Sequence, residues 1–412
     1  MQKNSKYKMS ISQRIIWYFS ESYISREHSF LSRKPKFFTY SPAIFIIGFA
    51  RILRLYFLQK SMKMDIIDVP DHVVVKTAAP HMHMNYFSLF NQNHDRSKYF
   101  YIESFNSKQF TQIKRLNFWD IFIEFHLTFK EFNHVFSRLS PEEMKSYALE
   151  QASVSLSVFS YFTCLFKNLK NENSNIKIFS GGAHLISAAA ITAGARTYWL
   201  SHGLIAPARL QGADIKQDPL KYYIPIPQYD YIYLYSKDEK TYLSDHGVSS
   251  QIMLYDFEKI KNLKNKLVIF MPCFDSSIDF QELAMLIDLF KKYNYKIIIK
   301  LHISYIGGMQ LEFAKSKNLS ISKSVKTSGS ELMRSERPKF IAGWSSTTLC
   351  EALRQGIIPI DLWNITRDQH QKFPPYNFRK RTIWWQEDQE ALLKLLDDSD
   401  KKLIEKFVDT MS

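Results

Sequence analysis

The sequence contains 412 residues, of which 45% are hydrophobic, and it carries a formal net charge of +15. Because this length exceeds one ordinary hydrophobic core, we expect two domains of roughly 150–200 residues each. The three cysteines lie far apart and form no CxxC pair. This pattern excludes a disulfide scaffold and a cysteine zinc site, and it favours a reducing cytosol.

The N-terminal segment 1–64 carries most of the excess charge, because twelve Lys or Arg residues against two Glu residues give it a net charge of +10. Its most apolar stretch, Ala43–Ala50, ends at Arg51. A helix that crosses a bilayer needs about 20 mostly apolar residues, so we predict no transmembrane span. No long apolar core with a cleavage site is present, so secretion is not expected.

The same segment predicts a basic amphipathic helix that attaches to a membrane surface without inserting. Aromatic side chains would lie in the headgroup region while basic side chains face anionic lipid, namely Arg51, Arg54, Lys60 and Lys63. The alternative is a helix packed on the protein core with a solvated basic edge. Nucleic acid is not an expected partner, because no helix-turn-helix, zinc finger or aromatic RNA-binding signature occurs.

In the first half, the pattern predicts alternating strands and helices. A strand is expected at His72–Lys76 and a long helix at Pro141–Leu169. The strand Ile176–Ser180, a helix rich in small residues within 181–195, and a strand from Arg196 form one βαβ unit with parallel strands. A further strand-like run is Tyr229–Ser236.

In the second half, the alternation continues after a boundary in the polar segment Glu258–Lys266. We therefore assign 1–64 to the basic leader, 65–260 to one domain and 261–412 to the other. Buried-type strands and amphipathic helices alternate as far as Trp363, which indicates a doubly wound parallel sheet. The predicted strands begin at Lys266, Tyr295, Leu319, Pro338 and Ile357, and the helices at Asp279, Ser330 and Thr347.

Polar residues follow two of these strands, where doubly wound sheets bind their ligands. His302 comes after IIIKL, and Ser345, Ser346 and Thr347 follow PKFIAG at the start of a helix that contains Glu351. Hydroxyls and free N–H groups at a helix N-terminus form an anion site, so we expect a phosphate there. The alternative is that the hydroxyls only cap the helix.

The segment 329–360 resembles the nucleotide-binding half of GT-B glycosyltransferases. Within it and the preceding strands, Lys300–His302 (KLH) resembles the His-Pro motif of bacterial sialyltransferases and polysialyltransferases, with Ile303 in place of the proline. The resemblance implies two Rossmann-like domains that face each other across a cleft, with acceptor bound by the first and donor by the second. It further implies a CMP-activated donor whose phosphate and ribose are bound by residues 300–351, namely Lys300, His302, Gly343, Ser345, Ser346, Thr347 and, for the ribose, Glu351.

The acceptor side lacks the carboxylate that serves as general base in the related sialyltransferases, because its strand end reads Ser180-Gly-Gly-Ala-His184. Either His184 or His202 deprotonates the acceptor hydroxyl, or a configuration-retaining reaction uses no enzyme base. His202–Gly203 resembles the histidine-glycine strand end of capsule and teichoic-acid transferases. Further acceptor-binding candidates are Arg209, which could meet a carboxylate or phosphate, and Pro80, His81 and His83.

A metal site is not predicted. His81 and His83 alternate and would point the same way on an extended chain, but no third ligand is evident. No DxD pair occurs at a strand end, since Asp275 and Asp279 are too far apart. We therefore expect protein donors alone to stabilise the departing nucleotide.

The sequence therefore predicts a cytoplasmic enzyme at the inner face of the bacterial membrane. The expected reaction is metal-independent transfer of a sialic or pseudaminic type sugar from a CMP donor to an oligosaccharide or lipid-linked saccharide acceptor of capsule or lipopolysaccharide. One alternative is the same fold with a UDP-sugar, GDP-sugar or CDP-glycerol donor. Another is a non-catalytic adaptor at the membrane surface.

Overall fold

The computed structural model describes sixteen stretches of the chain, and they form two compact units. The first unit contains most of the described chain up to Met253, and the second contains Leu234–Leu243 and the chain from Leu254 onward. The described residues are 41–61, 71–76, 99–103, 116–136, 149–180, 184–201, 229–235, 237–245, 250–272, 275, 278–302, 305, 308–322, 328–344, 347–362 and 382–397.

The first unit is built on a six-stranded sheet in the order β2-β1-β3-β4-β5-β6. The pairs β1–β2, β1–β3, β3–β4 and β4–β5 are parallel. The chain builds outward from β1 in both directions, which is the doubly wound pattern. The strands are β1 (His72–Lys76), β2 (Tyr99–Glu103), β3 (Lys177–Ser180), β4 (Arg196–Leu200), β5 (Tyr231–Leu234) and β6 (Gln251–Leu254).

A layer of helices buries the apolar side chains of this sheet. Its central helix, α3, packs against α1, α2 and α4, and its residues from Leu156 to Phe166 are all buried. A helix that is buried around its whole circumference is expected at the centre of such a layer. The helices of this layer are α1 (Ser41–Ser61), α2 (Phe118–Phe136), α3 (Leu149–Glu172) and α4 (His184–Thr192). Helix α5 (Lys237–Asp245) follows β5 and lies mostly in the second unit.

The second unit contains a parallel sheet in the order β12-β11-β10-β7-β8-β9. The direction of winding reverses at β7, whose neighbours β8 and β10 lie on its two sides. Ligands of doubly wound sheets bind at the carboxyl ends of the strands beside such a reversal. The strands are β7 (Lys264–Phe270), β8 (Lys296–Lys300), β9 (Ser320–Ile321), β10 (Pro338–Gly343), β11 (Ile358–Asp361) and β12 (Ile383–Trp384).

Two helices of the second unit begin at residues whose side chains cap them. Asp279 accepts hydrogen bonds from the backbone N–H groups of Gln281 and Glu282, which starts α6, and Ser328 accepts one from Glu331, which starts α8. The buried face of α6 is formed by Leu283, Leu286, Ile287 and Phe290. The helices are α6 (Phe280–Lys292), α7 (Met309–Ser316), α8 (Gly329–Glu336), α9 (Thr347–Arg354) and α10 (Gln389–Leu396).

The predicted fold class, an α/β protein with two Rossmann-like, doubly wound sheets, is confirmed by these two sheets. The sequence-based prediction lacks several of these elements, among them β2, α2, α5, β6, α7 and β12. Among the helices that the structure describes, none combines the length and the hydropathy that crossing a membrane requires.

Candidate donor-binding site

Four strand ends of the second sheet form one row across its carboxyl edge. Lys300 of β8 pairs with Phe270 of β7, Phe270 pairs with Gly343 of β10, and Gly343 pairs with Asp361 of β11. Because neighbouring strands lie about 4.8 Å apart, the backbones of Lys300 and Gly343 are about 10 Å apart. The register therefore brings two predicted donor-site residues to one edge, and His302 follows two residues after Lys300.

Lys300 and His302 have lowered pKa values, for related physical reasons. Lys300 is 6% exposed, and burial lowers the pKa of its ammonium group. The His302 side chain is more exposed, but partial burial and the nearby charge of Lys300 lower the pKa of its imidazole. Both shifts mean that the site disfavours added positive charge, so a bound anion would relieve the cost of that charge.

The N-terminus of α9 lies at the same edge, because the helix begins at Thr347, four residues after the end of β10. The N–H groups of its first turn and its dipole favour an anion. The protein atoms around position 343 leave room for a side chain, so they do not explain why this residue is glycine. A Cβ there would lie 3.5 Å from the Phe270 carbonyl oxygen, which is an ordinary contact. Ser345, Ser346 and the Thr347 side chain lie outside the described residues.

Glu351 lies on α9 and receives hydroxyl donors from two other elements. The Ser330 Oγ, on α8, donates to its Oε2 at 2.7 Å, and the Tyr235 hydroxyl also donates to this carboxylate. Burial raises the pKa of Glu351, while Ser330, Tyr235 and the charge of Arg334 act in the opposite direction. The predicted ribose ligand is thus a half-buried carboxylate whose orientation is fixed by hydrogen bonds.

Tyr235 is a member of this cluster that the sequence does not predict. It is fully buried directly after β5, and its backbone N–H donates to Glu239 Oε2 at 3.0 Å. Its carbonyl accepts from Arg354 Nη1 at 2.9 Å and from Cys350 Sγ at 3.8 Å. More than a hundred residues separate Tyr235 from α9, so no local motif reveals the contact.

A second polar cluster lies beyond the ends of β7 and β8 and is also missed by sequence reasoning. The Tyr305 hydroxyl donates to Asp275 Oδ2 at 3.2 Å and accepts from the Gln310 backbone N–H at 3.0 Å. Gln310 Nε2 donates to the Pro272 carbonyl at 3.1 Å, which fixes the direction of the amide. Asp275, which the sequence brings up only as a possible metal ligand, is therefore a partner of Tyr305.

The first sheet presents hydroxyls at the end of β3. Ser180 Oγ accepts from Ser187 Oγ at 2.6 Å and lies 3.3 Å from the Tyr229 hydroxyl. His184 is the first residue of α4, but its side chain lies outside the described residues. The remaining acceptor-side candidates also lie outside them, namely His202, Arg209, Pro80, His81 and His83.

Within the described ranges, no three His, Cys, Asp or Glu side chains are grouped as metal ligands would be. This finding covers neither His81 nor His83. Independence from a metal therefore stays a prediction.

Comparison with known proteins identifies similar folds. The chain is similar to the UDP-GlcNAc 2-epimerase from Neisseria meningitidis bound to UDP-GlcNAc, at 12% identity and a TM-score of 0.44 over 82% of this chain and 93% of that one. It is similar to apo UGT2 from Phytolacca americana at 11% identity and a TM-score of 0.44, over 83% and 95% of the two chains. It is also similar to the wall teichoic acid polymerase TagF with CDPG, at 14% identity and a TM-score of 0.44 over 96% of this chain and 91% of that one. No protein-family model and no curated protein sequence matches the chain.

Proposed function

We propose that the chain is a glycosyltransferase that takes its sugar from a nucleotide donor held at the carboxyl edge of the second sheet. The donor we propose is a CMP-activated acidic sugar of the sialic or pseudaminic type. The acceptor is an oligosaccharide or a lipid-linked saccharide of capsule or lipopolysaccharide. No metal cofactor takes part in the proposed reaction.

One observation carries this proposal, namely the row that aligns Lys300, Phe270 and Gly343 beside the reversal of the sheet. A buried ammonium group and His302 stand on one side of β7, and the N-terminus of α9 stands on the other. These are donors suited to a phosphate that bears negative charge. The choice of CMP rests on the resemblance of the KLH segment.

In the proposed reaction, the acceptor hydroxyl oxygen attacks the anomeric carbon of the donor sugar. The bond between that carbon and the phosphate oxygen breaks, and CMP leaves with the electron pair. Lys300, His302 and the N–H groups of α9 stabilise the charge on the departing phosphate. Glu351 accepts hydrogen bonds from the ribose hydroxyls. The acceptor proton passes to His184 or His202, or to solvent if the reaction retains configuration.

A panel of donors tests this proposal. Full-length protein is incubated with CMP-, UDP- and GDP-sugars and with CDP-glycerol, and release of each nucleotide is measured with and without saccharide acceptors. Release of CMP from the CMP-sugar alone is the expected result. Release of UDP or GDP, or release of CMP from CDP-glycerol, would identify a different donor. Binding of a donor without release of its nucleotide would indicate an adaptor.

The phosphate site is tested separately by calorimetry with CMP. His302→Ala should weaken CMP binding by about tenfold, because it removes one charge-assisted hydrogen bond. His126→Ala, which removes an exposed histidine on α2, serves as the matched control and should bind CMP as the wild type does. Unchanged CMP affinity in His302→Ala would contradict the proposed site.

A further inference from the structure

The helix α2 carries an apolar stripe that is largely exposed. Its members are Trp119, Ile123 and Leu127, whose side chains are 63%, 55% and 50% exposed. Their spacing of four residues places them along one side of the helix. A large exposed aromatic residue in line with two aliphatic ones is unusual on a surface that meets only water.

The neighbouring helix α1 also exposes apolar side chains, Ile46 at 65% and Phe57 at 60%. The two helices run antiparallel, because Phe45 contacts Phe125 and Phe129 whereas Tyr56 contacts Phe118. Aromatic rings therefore join the helices along their length, and the exposed residues of each helix lie outside this seam.

The two exposed sets point to the same side of the helix pair. Successive residues of a helix are rotated by about 100° around its axis. In the direction of increasing residue number, the exposed residues of α1 are rotated by about 90° from the residues that contact α2. Those of α2 are rotated by about 130° from the residues that contact α1. The two rotations have the same sign, and antiparallel packing reverses the sense of rotation of one helix relative to the other. Both sets therefore face one side, away from α3, which packs against both helices.

Positive charge accompanies this surface. Helix α1 contains three basic residues and no acidic one, and its exposed Arg54 lies on the same side as Ile46 and Phe57. Lys130 extends the exposed side of α2, while Asp120 and Glu131 lie on its edge farther from α1. The segment 1–64, which contains α1, has a net charge of +10.

We propose that these two helices form one docking face for an anionic lipid bilayer, with Trp119 at headgroup depth. This two-helix face consists of Ile46, Arg54, Phe57, Trp119, Ile123 and Leu127. Tryptophan beside aliphatic and basic side chains is the composition of an interfacial helix surface. The inference rests on the membrane attachment that the sequence of the basic leader predicts, not on the sugar chemistry of the proposed function, and it adds α2 to that leader.

Charge favours lipid over a second copy of the chain as the occupant. A two-fold dimer through this face would bring two copies of the basic helix α1 together, which is unfavourable. An anionic bilayer neutralises the same charge. The apolar stripe supplies contact with the acyl boundary, and Arg54 and Lys130 supply contact with phosphate.

The test is flotation of full-length protein with phosphatidylcholine vesicles, with or without phosphatidylglycerol, at low and high salt. We expect binding only to the anionic vesicles and weaker binding at high salt. The triple variant Trp119→Ser, Ile123→Ser, Leu127→Ser should reduce binding by about tenfold or more. A matched control, Met285→Ser with Met309→Ser, replaces exposed apolar side chains of the second unit and should bind as wild type does.

Each other outcome overturns the inference. Equal binding by the triple variant and the wild type would assign attachment to the leader alone. Dimers of the wild type in sedimentation without lipid, lost in the triple variant, would make the face a protein interface. Calorimetry with CMP on the same preparations separates the two proposals, because loss of vesicle binding with intact CMP binding concerns only the docking face.

Discussion

The Ser330 hydroxyl donates a 2.7 Å hydrogen bond to the Glu351 carboxylate and so joins two consecutive helices, α8 and α9. Helix α9 packs against β10 and β11, and α8 packs against α9 and contacts β7 of the same sheet. The close approach extends to the backbone, since a Cβ on Gly329 would lie 3.0 Å from Thr348 Cγ2. The carboxylate that we assign to the ribose is therefore held from α8 as well as from its own helix.

Replacing Glu351 by Gln tests both its burial and its proposed role. Burial raises the pKa of Glu351, so the stability it contributes is present below the unfolded pKa and is lost as pH rises through the folded pKa. Gln does not titrate, so the variant should gain stability relative to wild type as pH rises. Urea unfolding across the acidic to neutral range measures this difference. CMP affinity should fall about tenfold, because a hydrogen bond to a charged group is lost.

The control for this prediction is Glu258→Gln, which removes an exposed carboxylate before β7. Its unfolding free energy and CMP affinity should follow those of wild type at every pH. Identical pH dependence of stability in Glu351→Gln and wild type would show that burial does not govern this carboxyl group. Identical CMP affinity would remove Glu351 from the donor site.

Binding of CMP should carry a proton to His302. Partial burial and Lys300 lower its pKa from the ordinary 6.5, whereas a bound phosphate would raise it again. CMP should therefore bind more tightly as pH falls through the pKa of the complex, with proton uptake. Calorimetry in buffers of different ionisation enthalpy measures that uptake. His302→Gln should abolish the histidine contribution, and the titration of CMP itself cancels in the comparison. Equal uptake by both proteins would contradict the prediction.

Replacing Lys300 by Met should raise the melting temperature while it weakens CMP binding. Burial lowers the pKa of Lys300. Below that lowered pKa the buried charge reduces the free energy of unfolding, and this loss diminishes as pH rises above it. Met keeps the apolar stem without the charge, and each kcal/mol gained raises the melting temperature by about 2–4 °C. Lys296→Met, at the exposed start of β8, is the control. A lower melting temperature in Lys300→Met would show that its charge stabilises the fold.

The second sheet is predictable from sequence because its elements are local. Strands such as 296–300 are short buried runs, and α6 repeats its apolar residues at helical spacing between Asp279 and two terminal lysines. The alternation of these elements fixes the parallel sheet. Since ligand-binding residues follow strand ends in such a sheet, the residue pattern alone singles out His302 and Glu351.

The missed features depend on contacts between distant residues. Tyr235 forms hydrogen bonds with Glu351 and Arg354, which lie more than a hundred residues later in the sequence. Tyr305, after β8, forms a hydrogen bond with Asp275, after β7. The two-helix face is only half predictable, because the basic pattern marks α1 but nothing in the sequence pairs it with α2. The spacing of apolar residues and the composition of a segment predict single helices and strands, whereas these features arise from packing between elements.

Gly48 should not tolerate a methyl group, because α1 packs closely against α2 at this point. A Cβ on Gly48 would lie 2.7 Å from the Cζ atom of Phe125, a fully buried ring. Overpacking of this kind lowers the free energy of unfolding by about 1–3 kcal/mol, whereas the higher helix propensity of Ala raises it by at most about 1 kcal/mol. Gly48→Ala should therefore lower the free energy of unfolding in urea. In a Phe125→Leu background the methyl group has room, so the same change should be neutral or stabilising. An equal loss in both backgrounds would mean that the contact with Phe125 does not limit the approach of the two helices.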